Sequence, residues 1–131
     1  GRVQYSELPV YICAGDIFAM PSRSRLAGLE VEGLGIVYLE ASSCGLPVIG
    51  GLSGGAPDAV LEGETGFSVD GTSADAIAQA AIRLLSNSEY AEKLGAQGRE
   101  WIVREWRWEI CYFNCLFAGF SELFAPKKEV A

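Results

Sequence analysis

Short apolar runs alternate with stretches of helical periodicity along most of the chain. Three runs are short, lie beside glycine or proline, and are typical of buried strands: 16–20, 47–50 and 66–69. The spacing of the other apolar residues predicts helices over 7–14, from Gly35 to Gly45, from Thr72 to Leu85, and from Ser88 towards Trp101. This alternation predicts an α/β fold in which a parallel sheet is flanked by helices.

Single residues indicate where several elements begin, end or face the core. The segment Thr72-Ser73-Ala74-Asp75 is expected to open a helix with a hydroxyl cap, and Ser88 to cap the next one. Residues 1–3 are typical of a strand end with its exit loop. In the first of the two helices, four apolar residues are predicted to face inward: Ile77, Ala81, Leu84 and Leu85.

One more helix is predicted near the end of the chain, beginning after Trp108. It carries a broad apolar face formed by Ile110, Phe113, Phe117, Phe120 and Phe124. We therefore expect one domain over residues 1–125 and a disordered tail over 126–131.

Composition and charge narrow the classes of function. The chain has 131 residues, which suits one compact domain. Its net charge of −7, without a basic stretch, argues against nucleic acid as a partner, because phosphate backbones need clustered Lys and Arg. Histidine is absent, which excludes Ser-His-Asp and Cys-His catalysis within this chain. No apolar run reaches the roughly 20 residues that span a bilayer.

The four cysteines show no Cys-x2-Cys metal spacing. We expect all of them to be buried or half-buried thiols of a cytosolic protein: Cys13, Cys44, Cys111 and Cys115.

The most informative pattern is Glu-x7-Glu, formed by Glu32 and Glu40. These carboxylates lie about two turns apart on one side if a helix runs between them. Gly33 and Gly35 permit a ligand to approach the main chain closely. A helix that opens near Gly35 offers unpaired N–H groups and a positive dipole end to phosphate. Because ionised glutamates accept hydrogen bonds from hydroxyls, the combination indicates a sugar nucleotide. The simpler alternative is two solvated glutamates near a helix start.

This segment, with the sequence Ala-Ser-Ser-Cys-Gly-Leu-Pro-Val-Ile after it, resembles the retaining glycosyltransferases of the GT-B fold, specifically the large family 4 group. The resemblance implies part of a C-terminal nucleotide-sugar-binding domain with a Rossmann-like sheet. Glu32 would contact the transferred sugar, Glu40 would hold the ribose hydroxyls, and groups near Val3 would contact the base. The main chain of five residues would meet sugar hydroxyls and diphosphate: Gly33, Leu34, Gly35, Ile36 and Val37.

The resemblance extends over nearly the whole chain. Within the family, Arg23-Ser24-Arg25 and the long loop before Glu32 are most similar to the GDP-mannose-dependent phosphatidylinositol mannoside mannosyltransferases. This implies transfer of mannose from GDP-mannose to a lipid or glycan hydroxyl with retention of configuration. The acceptor, with a membrane lipid as one candidate, would be bound by an N-terminal domain that this chain lacks, so we expect the chain alone to be inactive. The parent enzyme would be cytoplasmic and peripheral to the inner face of the membrane.

The resemblance also limits the chemistry. We expect no metal and no cofactor, since the nucleotide sugar is the substrate and no Asp-x-Asp motif occurs. Glu32 is expected to position the sugar and to stabilise developing positive charge, not to act as a nucleophile. Two alternatives remain open: a UDP-sugar-dependent GT-B enzyme, and a non-catalytic nucleotide-sugar-binding or structural module.

Two glycine patterns fail to match known phosphate-binding motifs. Gly33-x-Gly35 lacks the third glycine of a dinucleotide site, and Gly50 to Gly55 lacks the Lys and hydroxyl of a P-loop. Other features have two interpretations each. The 52–55 segment is either a flexible loop beside the donor sugar or a strand-to-helix turn. Arg23 and Arg25 bind an anion or are solvated. Three tryptophans stack on a base or anchor the terminal helix: Trp101, Trp106 and Trp108.

Overall fold

A computed structural model describes residues 2–111 of the chain. Cys115, the phenylalanines from Phe113 to Phe124 and the predicted tail at 126–131 lie outside the described residues. The helices are α1 (Leu8–Cys13), α2 (Ile36–Ser43), α3 (Ala74–Leu85) and α4 (Ser88–Glu105). The strands are β1 (Phe18–Met20), β2 (Val48–Gly51) and β3 (Gly66–Val69). Short 3-10 turns occur at Tyr5–Glu7, Leu26–Gly28 and Ala56–Ala59, and residues 108–111 are again helical.

The three strands form one parallel sheet in the order β1-β2-β3. Phe18 pairs with Val48 across the first ladder, and Ile49 pairs with Phe67 across the second. The predicted α/β fold with a parallel sheet flanked by helices is therefore confirmed. Arg2 and Val3 belong to no strand, which agrees with the predicted exit loop, and the strand end predicted before that loop stays a prediction.

The central strand divides the core into two apolar clusters, because successive side chains point to opposite faces. Ile49 packs with side chains of β3, α3 and α4: Phe67, Val69, Ala80, Leu84, Ala91 and Leu94. Val48 packs on the other face with residues of α2 and the 56–60 segment: Tyr38, Ala41, Ala56, Ala59 and Val60. Both faces of β2 are thus covered, as is usual for parallel sheets.

Helix α4 also crosses α2 closely and fixes its position. Gly95 of α4 lies so close to the carbonyl oxygen of Gly45 that a side chain at position 95 would clash with it. Arg99 donates a hydrogen bond from its guanidinium to the carbonyl oxygen of Ser43 at 2.9 Å, at the end of α2. The positively charged group thereby satisfies a carbonyl in the last turn of α2.

Three local predictions need correction. Leu85 is 60% exposed while Leu84 is fully buried, because α3 meets the core along the side that carries Ala80 and Leu84, and Leu85 points about 100° further round the helix. Asn87, not Ser88, caps α4 by accepting a hydrogen bond from the Tyr90 N–H, whereas the predicted hydroxyl cap of α3 is confirmed, with Ser73 as the capping residue. Cys13 is exposed at the end of the short helix α1, while Cys44 and Cys111 are half-buried.

In the part of the chain that the structure describes, no helix is both long enough and apolar enough to cross a membrane.

Candidate functional site

The candidate site lies at the carboxyl end of the sheet, where the chain leaves β1 and β2. The loop after β1 leads through residues 32–35 into α2, and the loop after β2 contains residues 52–55. In open α/β sheets, ligands bind outside this edge. The helix begins only at Ile36, so Glu32 lies in the preceding turn and Glu40 in α2 itself. The estimate of two helical turns between the carboxylates therefore does not apply.

Gly35 shapes the start of α2. It is the N-cap residue with φ 73° and ψ 58°, a left-handed conformation that glycine adopts without steric cost. A side chain there would also clash with the ring of Tyr38. No side chain caps the helix by a hydrogen bond, so the N–H groups of Ile36 and Val37 at its start receive no side-chain acceptor from the N-cap residue.

Tyr38 ties this helix start to the end of β1. Its ring is fully buried, and its hydroxyl donates to the carbonyl oxygen of Met20 at 2.7 Å. The Ser22 hydroxyl donates to the Tyr38 hydroxyl oxygen at 3.0 Å, because the single proton of the tyrosine hydroxyl is already given to Met20. Sequence reasoning missed this role of Tyr38. No local signal indicates it, because Met20 lies 18 positions before Tyr38 in the sequence.

The loop after β2 holds the main chain at Glu32. The Glu32 N–H donates to the hydroxyl of Ser53 at 3.2 Å. The Gly55 N–H donates to the Gly33 carbonyl at 2.8 Å and to the Glu32 carbonyl at 3.3 Å. Gly54 and Gly55 approach these carbonyls so closely that neither position has room for a side chain. The 52–55 segment is thus a turn between β2 and the 56–59 helix, and its contact with a donor sugar stays a prediction.

Glu40 is half-buried and lies beside a cleft of about 210 Å³ between α1 and α2. The lining combines apolar and polar side chains: Tyr5, Leu8, Pro9, Ile12, Glu40, Ser43 and Cys44. Burial, together with hydrogen bonding to the Cys13 thiol, raises the pKa of the Cys44 thiol, so it stays protonated at neutral pH. Val3 is exposed and lies two residues before Tyr5 at this cleft.

The other predicted site residues differ in how far they are exposed to solvent. Among the predicted main-chain contacts, Gly33 and Ile36 are exposed, whereas Leu34 and Val37 are half-buried. Arg25 pairs with Glu30 at 3.7 Å on the surface, and Arg23 is exposed.

The tryptophans also differ. Trp101 is buried in α4, stacks edge-on with Trp106 at 5.6 Å between ring centroids, and donates to Glu105 at 3.1 Å. Trp101 therefore anchors the end of α4, and its buried ring is not available to stack on a base. Trp108 is 85% exposed.

No group of three or more Cys, Asp or Glu side chains among residues 2–111 is arranged to hold a metal ion. The described residues place the Glu32 carboxylate before a helix start that has no side-chain cap and the Glu40 carboxylate within that helix. These groups suit a ligand with hydroxyls and an anionic phosphate.

Comparison with known proteins gives a consistent result. The family model of glycosyl transferases group 1 matches residues 1–101. A GDP-mannose-dependent alpha-(1-6)-phosphatidylinositol monomannoside mannosyltransferase of Mycolicibacterium smegmatis is 56% identical over 123 residues, 94% of this chain and 31% of that protein. The protein of the same name from Mycobacterium tuberculosis is 52% identical over 109 residues, 83% of this chain and 28% of that protein. Sucrose-phosphate synthase from Thermosynechococcus elongatus superimposes with a TM-score of 0.77 at 31% identity, over 94% of this chain and 30% of that one. The chain thus spans less than a third of each of these relatives.

Proposed function

Because the chain belongs to the glycosyl transferases group 1 family, we propose that it is the donor-binding part of a retaining hexosyltransferase. The donor is GDP-mannose, and the acceptor is a lipid or glycan hydroxyl bound by an N-terminal domain of a longer enzyme. The observation that carries the proposal is the turn at 32–35. It brings a carboxylate, exposed main chain and an N-terminus without a side-chain cap to the carboxyl edge of a parallel sheet.

The start of α2 is the proposed seat of the diphosphate. The N–H groups that follow Gly35 lack a capping side chain, and the helix dipole places partial positive charge at the same point. A diphosphate needs such donors, because its negative charge grows as the bond to the sugar breaks. Main-chain groups from Gly33 to Val37 supply them.

Glu32 is the proposed contact to the transferred sugar. Its carboxylate accepts hydrogen bonds from sugar hydroxyls and stabilises positive charge that develops at the anomeric carbon. Both the N–H and the carbonyl oxygen of Glu32 are hydrogen-bonded to the loop after β2, so the main chain that carries this side chain is held in place. Precise placement of this kind is where much of an enzyme's rate enhancement arises.

Glu40 and the cleft between α1 and α2 are the proposed nucleoside site. A half-buried carboxylate suits the two ribose hydroxyls, which donate to it. Tyr5 and the apolar side chains of the cleft offer surface for a base, and Val3 leads into this region. The name of the Mycolicibacterium smegmatis relative supports guanine as that base. We further propose that the parent enzyme is cytoplasmic and works at the inner face of the membrane.

A titration of the chain with GDP-mannose and with a UDP-sugar, followed by NMR, tests the donor site. We expect saturable binding of GDP-mannose, weakened by about tenfold or more in Glu40→Ala, because a charge-assisted hydrogen bond contributes about 1.5–3 kcal/mol. Glu92→Ala is the matched control, since Glu92 is an exposed glutamate of α4 outside the site.

The other outcomes discriminate between the alternatives. Tighter binding of the UDP-sugar would favour a UDP-dependent enzyme. Failure of the chain and of the complete enzyme to bind either nucleotide would contradict the proposal and favour a structural module.

A further inference from the structure

We propose that Ser53 is a positioning residue that fixes the main chain of Glu32 and couples it to the 22–31 loop through Ser24. The inference rests on the proposed function, in which Glu32 contacts the transferred sugar. Ser53 itself does not reach the donor, because its side chain is fully buried behind the 32–35 turn.

The hydroxyl of Ser53 joins two segments that are far apart in sequence. It accepts the Glu32 N–H at 3.2 Å and is hydrogen-bonded to the Ser24 hydroxyl at 3.1 Å. Leu52, the preceding residue, is exposed, so the chain after β2 turns Ser53 inward towards this junction. A buried hydroxyl with both partners in place is costly to remove, since the Glu32 N–H loses its acceptor.

Residues 53–55 therefore hold both polar groups of the Glu32 main chain. Ser53 accepts from the N–H, and the Gly55 N–H donates to the carbonyl oxygens of Glu32 and Gly33. Gly54 also lies directly against the Glu32 carbonyl, where a side chain would not fit. Of these contacts, the one through Ser53 is made by a side chain, so a single substitution can remove it.

The loop on the other side of Ser53 has an unusual backbone conformation. Leu26, Ala27 and Gly28 have positive φ values of 49°, 55° and 92°, two of them at residues that rarely adopt them. Main-chain hydrogen bonds in both directions between Arg25 and Glu30 close the loop at 2.8 and 3.2 Å. Ser24 immediately precedes this closure, so its bond to Ser53 links the closed loop to Glu32. Strained conformations persist where the surroundings enforce them, and they cluster at functional sites.

The test uses the complete enzyme that carries this segment, with four single variants and the double variant of Ser53→Ala with Glu32→Gln. Ser53→Ala removes the acceptor, Ser53→Thr retains the hydroxyl, and Glu32→Gln reports on the sugar contact itself. Ser42→Ala is the matched control, because Ser42 is equally buried but its hydroxyl has no hydrogen-bond partner in the described residues. All rates are measured well below the melting temperature of each variant.

We expect Ser53→Ala to lower kcat by about tenfold to a hundredfold, while the affinity for GDP stays within about twofold of the parent, because misplaced groups cost rate more than nucleotide binding. Ser53→Thr should recover most of the rate, and Ser42→Ala should match the parent. In a Glu32→Gln background, Ser53→Ala should add little further loss, because both changes act through one side chain. In the isolated chain, the Glu32 amide should exchange with solvent at least about tenfold faster in Ser53→Ala.

Three results separate the possible failures. If Glu32→Gln loses most of the rate but Ser53→Ala behaves like Ser42→Ala, the positioning role is overturned and the proposed function stands. The positioning role is also overturned if the losses of Ser53→Ala and Glu32→Gln are fully additive. If Glu32→Gln keeps the full rate, the assignment of Glu32 fails, and the inference about Ser53 fails with it.

Discussion

Two regions of the molecule keep their shape by different means. The face of the sheet that α3 and α4 cover is held by interlocking apolar side chains, with Ile49, Leu84 and Leu94 almost completely buried. The carboxyl edge of the sheet is held by main-chain hydrogen bonds, buried hydroxyls and glycines at close contacts. The first region supplies free energy of folding, because apolar burial is its dominant source. The second supplies geometry, because each of its bonds has a defined direction.

This difference has a consequence for mutation. A substitution in the apolar face should lower the free energy of unfolding. In the molecules that remain folded, it should leave the candidate site unchanged. A change at the carboxyl edge should alter the site out of proportion to its cost in stability. The predictions below test that separation.

The largest expected effect is on the free energy of unfolding of Leu84→Ala. Leu84 is fully buried, and truncation of a buried leucine costs about 2–5 kcal/mol through lost burial and the cavity left behind. Urea denaturation of the chain measures it. Leu85→Ala is the control, because the neighbouring leucine is 60% exposed and should cost less than about 1 kcal/mol. Equal losses in the two variants would contradict the assignment of the inward stripe. A change in GDP-mannose affinity of folded Leu84→Ala would break the separation itself.

A smaller loss of stability, but a larger loss of donor binding, is expected for Gly35→Ala. Its φ of 73° and the ring of Tyr38 both oppose a side chain, so we expect a cost of about 2 kcal/mol. The start of α2 should shift, and titration with GDP-mannose should show weakened binding. For the loss of stability, Gly33→Ala is the control, since a side chain at that position would meet open space within the protein. If Gly33→Ala destabilised the chain as much as Gly35→Ala, steric strain at Gly35 would not be the cause.

Sequence patterns predicted the fold well, because its strands and helices follow from local composition. The apolar runs that became β2 and β3, and the cap at Ser73, depend on neighbours within a few residues. The Glu-x7-Glu pattern likewise directed attention to the 32–40 segment, which the structure places at the carboxyl edge of the sheet. Whether these residues bind a donor stays a prediction.

The parts that sequence could not provide depend on contacts between distant segments. The bond from Ser53 to the Glu32 N–H spans 21 positions, and the bond from Tyr38 to Met20 spans 18. Nothing in the sequence near either residue indicates its partner. The choice of Leu84 over Leu85 also depends on how α3 meets the sheet, because helical periodicity alone permits a stripe one residue wider.

The smallest expected effect is on the pKa of Asp70, which follows β3 at the carboxyl edge of the sheet. The hydroxyl of Thr72 donates to its carboxylate at 2.7 Å, and the Thr72 N–H donates at 2.8 Å. These bonds, the hydroxyl first, hold the pKa of Asp70 below its usual value of 3.8. The stabilisation is therefore present above the unfolded-state pKa and is lost as the pH falls through the lower pKa of the folded state.

Thr72→Val should raise the pKa of Asp70, because the first of the two donors disappears while the N–H remains. Thr72→Ser retains both donors and should leave the pKa unchanged. Carboxyl carbon shifts of Asp70, followed by NMR through the acidic range, measure it. In the same spectra, the Leu84 methyl shifts should not follow this titration, because the α3–α4 face holds its shape by apolar contacts. A shift of the Leu84 methyls that tracks the Asp70 titration would mean that the edge and the apolar face respond as one unit, and the separation between the two regions would fail.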